Sequence, residues 1–139
     1  MNRWTKAYID TLTYQVIGCA IEVHRVLGPG LLESIYERCL IREMVLRDII
    51  VISQVKVPVD YKGVHLDADL KLDLLVEDSI AVEIKAVEAI NPVYEAQVLS
   101  YMKLLGKPKG ILFNFCCTNI YKNGQRTFVN EIFAGLPDK

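Results

Sequence analysis

The stretch Leu70–Ala86, "LKLDLLVEDSIAVEIKA", carries the pattern from which the rest of the chain can be read. From Leu66 to Val76 the residues alternate. Leu66, Ala68, Leu70, Leu72, Leu74 and Val76 point one way, and Asp67, Asp69, Lys71, Asp73 and Leu75 the other, the period of a β-strand. Ile80, Val82 and Ile84 alternate with Ala81, Glu83 and Lys85 in the same way. With Glu77–Ser79 as a three-residue loop, Val76 pairs with Ile80 and Asp73 stands opposite Glu83. Lys85 lies two residues further on the same face. A two-residue loop would set Glu83 against Leu74 and turn the charges into the core, so the hydrophobic pattern rejects that register. The expectation is a hairpin with an apolar inner face and a charged outer face.

Two helices precede this hairpin. Ile9, Leu12, Val16, Cys19, Val23 and Val26 recur at helical spacing until Gly28 and Pro29 stop the run. In "LLESIYERCLIREMVLRD" the apolar set Leu32, Ile35, Cys39 and Leu46, with Leu40 and Met44 beside it, predicts packing on more than one side. Gly30 is the expected N-cap, which makes Glu33 the third helical residue, where an acid favours the helix dipole. "IVISQVKVPVDY" reads as a strand with a turn at Lys62-Gly63. After the hairpin, "NPVYEAQVLSYMKLLG" reads as a third helix between Asn91-Pro92 and Gly106, and "GILFNFCC" as a central strand. A last hairpin is expected to turn at Asn123-Gly124. The order α-α-β-β-β-α-β-β predicts a mixed α/β sheet flanked by helices.

With 139 residues, one domain spanning 1–139 is expected, long enough to bury a core without staples. The net charge of −1 excludes any global pull toward nucleic acid, so such binding would need a local basic patch. Cys19, Cys39, Cys116 and Cys117 form no C-x-x-C pair, and with only two histidines a structural zinc site is not expected. No apolar run reaches the roughly 20 residues of a membrane span, and the N-terminus lacks an apolar signal core. The expected location is the cytoplasm.

The chemistry centres on Asp73 and Glu83. Carboxylates facing each other across a strand pair, with Cβ atoms about 5 Å apart, repel. A divalent cation removes that cost: Mg²⁺ takes oxygen ligands and is held by one or two carboxylates, waters and a substrate phosphate. The backbone carbonyl beside Glu83, that of Ile84, offers a further ligand, and Lys85 is within reach of a bound water or phosphate oxygen. The alternative is a solvated outer face on which Lys71 and Lys85 neutralise Asp73 and Glu83.

Asp73…Glu83-Ile84-Lys85 resembles the D-x(n)-E-x-K pattern of the PD-(D/E)XK nuclease superfamily. Within it, "GLLESIY", Gly30 to Tyr36, resembles the signature of the bacterial GxxExxY family. The similarity runs through "IEVHRVLGPGLLESIYE", "DLLVED", "VEIKAVE" and "EAQVLSYMKLLG", from about Ile17 to Asn114. It implies a restriction-endonuclease-like core and metal-dependent hydrolysis of phosphodiester bonds with Mg²⁺ or Mn²⁺. Asp73 and Glu83 would ligate the metal, Lys85 would orient or activate the attacking water, and Glu33 would reach the same centre from its helix. Gln97 and Tyr101 match the Q-x-x-x-Y motif that supports the site and contacts nucleic acid, and Tyr36, the tyrosine of the G-x-x-E-x-x-Y signature, is a further expected substrate contact. Two positions depart from the pattern. Leu72 stands where the superfamily name has proline. Lys71 stands where an arginine-like residue is common, keeping the charge without the bidentate fork.

Lys71, Lys103, Lys107 and Lys109 are the expected phosphate contacts, and nucleic acid, DNA ahead of RNA, is the expected partner. A homodimer, with Phe133 and Leu136 near the C-terminus contributing, would enlarge the gripping surface. His24, beside the first helix's apolar stripe, reads as a packed or helix-capping histidine, and the family resemblance leaves a secondary role at the site open. The rival from another class is a module that keeps the nuclease scaffold and binds nucleic acid or protein without cutting.

Overall fold

The hairpin forms in the expected register. The computed structural model describes residues 4–139. In it β4 (Lys71–Val76) and β5 (Ile80–Lys85) are antiparallel, with Val76 opposite Ile80, Leu75 opposite Ala81 and Leu74 opposite Val82. Glu77 and Asp78 carry φ of 49° and 52°, and the Ser79 N–H donates to the Val76 carbonyl at 2.9 Å. Two consecutive left-handed residues give a turn whose twist matches the strands it joins.

Around this hairpin lie α1 (Lys6–Leu27), α2 (Glu33–Leu46), β1 (Val51–Lys56), β2 (Val59–Tyr61), β3 (Val64–Leu66), α3 (Pro92–Leu105), β6 (Lys109–Asn114), β7 (Gln125–Val129) and α4 (Glu131–Ala134). The main sheet has five strands in the order β1-β4-β5-β6-β7. Only β5 and β6 are parallel, as a strand–helix–strand crossover through α3 requires. The result is a mixed α/β core with helices on both faces. Among the described residues, no helix is long and apolar enough to cross a membrane.

Each face has its own apolar cluster. Leu12, Val16, Cys19 and Val23 of α1 and Tyr36, Leu40 and Met44 of α2 pack against Leu74, Val76, Val82, Ile84, Ile111 and Phe113. Val98, Tyr101 and Met102 of α3 pack against Leu72, Leu75, Ala81 and Leu112. The second face of the hairpin is therefore not a solvated surface, as alternation alone predicts; α3 covers it. In α2 the buried stripe is Tyr36, Leu40 and Met44, at intervals of four residues, while Leu32, Ile35 and Leu46 are exposed. This helix packs on one side. In α1 the stripe is buried as far as Val23, and Val26 is exposed.

Four other expectations shift. The first long strand splits at Val57-Pro58 into β1 and β2, because proline has no N–H to give to a ladder. The alternating run from Leu66 is interrupted at 67–70, where Asp69 turns left-handed at φ 53°. β2 and β3 form a separate two-stranded sheet around the expected Lys62-Gly63 turn. The Asn123-Gly124 pair does not turn a hairpin. It ends a π-helical turn, Ile120–Gly124, that feeds β7. Tertiary packing explains that glycine: a Cβ on Gly124 would lie 2.6 Å from the Asn114 carbonyl oxygen.

The start of α1 meets the segment after α4. The Lys6 and Ala7 N–H groups, unpaired at the start of α1, donate to the carbonyls of Pro137 and Asp138 at 2.8 and 3.0 Å. The Phe133 ring lies under the Lys6 and Lys109 ammoniums, 6.0 and 5.8 Å from its centroid. Phe133, one of the two residues expected to serve a second copy, thus also meets cations of its own chain.

Gly110 in β6 admits the close approach of α3: a Cβ there would lie 2.5 Å from Met102 Sδ and 2.6 Å from Val98 Cγ1. Gly110→Ala should destabilise the chain by about 1–3 kcal/mol through overpacking. A urea denaturation midpoint equal to that of the native chain would contradict this packing.

Candidate functional site

The site arises where the hairpin comes apart. β4 and β5 pair from the turn as far as Leu74 and Val82. Beyond that point β5 continues beside β6, with Glu83 opposite Leu112, Ile84 opposite Phe113 and Lys85 opposite Asn114. Side chains take over the hydrogen bonds lost between β4 and β5. The Asp73 N–H donates to Glu83 Oε1 at 3.0 Å, and the Ile84 N–H donates to Asp73 Oδ2 at 2.8 Å. Each carboxylate is thus gripped by the backbone of the opposite strand.

Asp73 and Glu83 are brought together as the register predicts, with Asp73 half-buried and Glu83 in the interior. Glu83 is only 5% exposed. Its carboxyl is pushed up to about 8, first by burial and then by the charge of Asp73; the Asp73 N–H and Lys85 pull the other way. Burial excludes the solvated-face reading. Lys85 is half-buried, its ammonium 4.6 Å from the centroid of the Tyr94 ring, a cation–π contact that holds the charge without neutralising it.

The third helix supplies the neighbouring wall. Gln97 and Tyr101 share a face, and Gln97 Nε2 donates to the Tyr101 hydroxyl at 3.0 Å. Burial raises the Tyr101 phenol; the Gln97 hydrogen bond opposes this, and the charges of Glu83 and Asp73 add to it. Tyr101 therefore lies in the electrostatic field of the acid pair. Lys71 is exposed at the first residue of β4, at the same end of the sheet.

Glu33 is the first helical residue of α2, preceded by Leu32 as N-cap, so Gly30 does not cap this helix. Glu33 Oε2 accepts the Ala86 N–H at 3.3 Å, just past Lys85. It reaches the end of β5 without joining the acid pair: among the described residues, no three His, Cys, Asp or Glu side chains form a group able to hold a metal ion. The Ile84 side chain is core, and its N–H is committed to Asp73.

Tyr36 is corrected from a substrate contact to a structural residue. It is wholly buried and stacks on Phe115 with ring centroids 4.2 Å apart. Its hydroxyl donates to the Gly28 carbonyl at 2.6 Å and accepts the Leu31 N–H at 3.2 Å, pinning the turn that launches α2. Three lysines are corrected as well. Lys107 pairs with Asp78 at 2.7 Å, and Lys109, alongside Ile80, is buried with its ammonium pulled down by desolvation. Lys103 is in the last turn of α3. All three belong to the hairpin-turn end of the sheet, opposite the acids. His24 is packed as expected, Nε2 donating to the Cys117 carbonyl at 2.9 Å.

Four residues escaped the sequence reading. Gln54 of β1 donates through Nε2 to Glu37 Oε1 at 2.9 Å and reaches Asp73 Oδ1 at 3.4 Å. Glu37 is one helical turn past Glu33, a spacing that could have revealed it; burial and then the Asp73 charge raise its carboxyl. Tyr94 is three residues before Gln97 on α3. Asn114, a polar residue ending an apolar strand, accepts the Val87 N–H at 3.0 Å and donates to the Val87 carbonyl at 2.9 Å, anchoring the chain beyond Lys85.

A groove of about 660 Å³ lined by Tyr14, Ile17, Ile21, Arg47 and Tyr121 contains none of these groups. Chemistry is the better guide here, because the acid pair combines a buried carboxyl, like charge and an adjacent cation.

The sign of the pH effect follows from Glu83. From its ordinary value of 4.5 up to about 8, the folded chain keeps a proton that the unfolded chain has released. Stability therefore falls as pH rises through that window and levels off above it. Urea denaturation in EDTA should show a loss on the order of a few kcal/mol from about pH 5 to about pH 8. Glu83→Gln should remove that loss, and parallel profiles for the two proteins would refute the assignment.

Neither curated proteins nor solved structures yield a match to the chain. The family model of the PD-(D/E)XK nuclease superfamily matches residues 10–127, nearly the whole hairpin-centred fold and all of the acid site. On that match, and on a mixed sheet flanked by helices, the chain belongs to the PD-(D/E)XK nuclease superfamily.

Proposed function

We propose that the chain is a single-domain, metal-dependent nuclease of the GxxExxY type that hydrolyses phosphodiester bonds in nucleic acid, DNA ahead of RNA. The observation that carries this reading is the buried Glu83 carboxyl set against the half-buried Asp73, with Lys85 beside them. The donor set suits Mg²⁺ or Mn²⁺: hard carboxylate oxygens, like charges pressed together, and no soft ligand between them. Asp73 and Glu83 would hold the ion with the Ile84 carbonyl, and Glu33 stands at the rim. When bound, such an ion polarises a phosphate and lowers the pKa of its water toward neutrality.

The protein's own residues do the rest. Backbone N–H groups fix both carboxylates before substrate arrives, so little reorganisation is needed. Lys85, oriented by the Tyr94 ring, presents positive charge where the phosphate gains negative charge. Gln97 and Tyr101 form a linked polar pair on the adjacent wall. Lys71 adds an exposed charge for the backbone of the nucleic acid.

The test is cleavage of labelled single- and double-stranded DNA and RNA in Mg²⁺ or Mn²⁺. Glu83→Ala and Lys85→Ala should each lose at least about 10²-fold in rate, and EDTA should abolish cutting. Mn²⁺ should also raise the melting temperature of the native chain. Binding of nucleic acid without cleavage, together with a melting temperature indifferent to Mn²⁺, would replace this reading with the non-cutting module. The raised Glu83 pKa gives that second reading its footing, since a proton alone can relieve the acid pair.

A further inference from the structure

We infer that Gln54 is a positioning residue that sets the carboxylate of Asp73 for the divalent cation; this rests on the reading of Asp73 as a metal ligand. The observation is a matched break in two neighbouring strands. In β1, Val51 packs with the α1/α2 cluster but Val55 with the α3 cluster. In β4, Leu74 belongs to the first cluster and Leu72 to the second. On regular strands, residues two or four apart share a face. Both strands therefore change faces, and they do so at opposed positions. Ser53 stands opposite Leu74 and Val55 opposite Leu72, with Gln54 and Asp73 between them.

The break has a backbone cause. Gln54 has φ 54°, left-handed, inside a strand. That conformation is unfavourable for any residue with a Cβ, and glycine is the residue that adopts it freely. The chain nevertheless has a glutamine there, whose amide is used on two sides. Nε2 donates to Glu37 Oε1 at 2.9 Å and reaches Asp73 Oδ1 at 3.4 Å. Both partners are acceptors, so only the NH₂ end of the amide fits between them.

Asp73 is thereby addressed on both oxygens, Oδ2 by the Ile84 N–H from β5 and Oδ1 by Gln54 from β1. The Glu37 bond, the shorter of the two made by Gln54, anchors the amide to α2. It also keeps two carboxylates from meeting across the gap without a donor. Gln54 touches no reacting atom in this scheme; it acts through the orientation of Asp73, as partners behind a metal ligand do.

The test is calorimetric titration of Mn²⁺ alone into the native chain, Gln54→Met, Gln54→Gly and Asp73→Ala, with melting temperatures taken in EDTA. Gln54→Met keeps the bulk and removes the donor; Gln54→Gly removes the donor and relieves the left-handed backbone. Both should weaken Mn²⁺ binding about tenfold or more, and the glycine variant should melt no lower than the native chain. A purely structural role would lower melting and leave Mn²⁺ affinity alone. Native affinity in either variant overturns the inference and leaves the metal centre standing, provided Asp73→Ala abolishes binding. A native chain that binds no Mn²⁺ removes the metal-centre reading, and this inference with it.

Discussion

A strand cannot give the same edge to two partners. β5 must pair with β4 on one side and β6 on the other, and the right-handed twist of a sheet turns neighbours away from each other along their length. Here the separation comes after Leu74 and Val82, leaving N–H groups in the interior that need acceptors. An unpaired buried N–H costs about as much as a lost hydrogen bond. Asp73 and Glu83 supply the oxygens, each to the other's strand. The site thus follows from how the sheet is closed. The carboxylates complete the backbone's hydrogen bonding, and that role forces two acids together where water is scarce.

The surrounding elements follow from this. α3 must return the chain so that β6 can lie parallel to β5, and in doing so it lays Tyr94, Gln97 and Tyr101 along the opened end. α2 begins where the buried Tyr36 ties down the Gly28–Leu31 turn, and its first two turns bring Glu33 to Ala86 and Glu37 to Gln54. Asn114 then pins the segment beyond Lys85, so the lysine is held by chain on both sides.

Alternation was enough to read the hairpin, its loop and the apposition of Asp73 and Glu83, although Leu72 and Leu74 face different clusters and not the one shared face that alternation predicts. It was not enough to show that both faces are buried. Leu75 and Ala81 read equally well as chance apolar residues on an outer face, and only the position of α3 decides between the two. The lysines are more instructive. Residues after a crossover helix enter a strand parallel to the one before it, so Lys107 and Lys109 had to lie near the beginning of β5, away from Lys85. Strand order carries that information, whereas nearness in sequence to α3 does not. Tyr36 was hidden for another reason: a motif shows that a side chain is required without showing whether it meets substrate or core. Gln54 left almost no trace, since neither a left-handed residue inside a strand nor a bridge to another helix has a local sequence signature.

The junction of α1 with the segment after α4 has a practical side. The carbonyls of Pro137 and Asp138 close on Lys6 and Ala7, and Trp4 Nε1 donates to Ser79 Oγ at 2.8 Å, so Trp4 and Asp138 both lie toward the hairpin turn. Anything joined there, whether an affinity handle, a fluorophore or a fused domain, sits at the opposite pole from Glu83 and Lys85. A tether placed at that pole leaves the acidic mouth facing the solution.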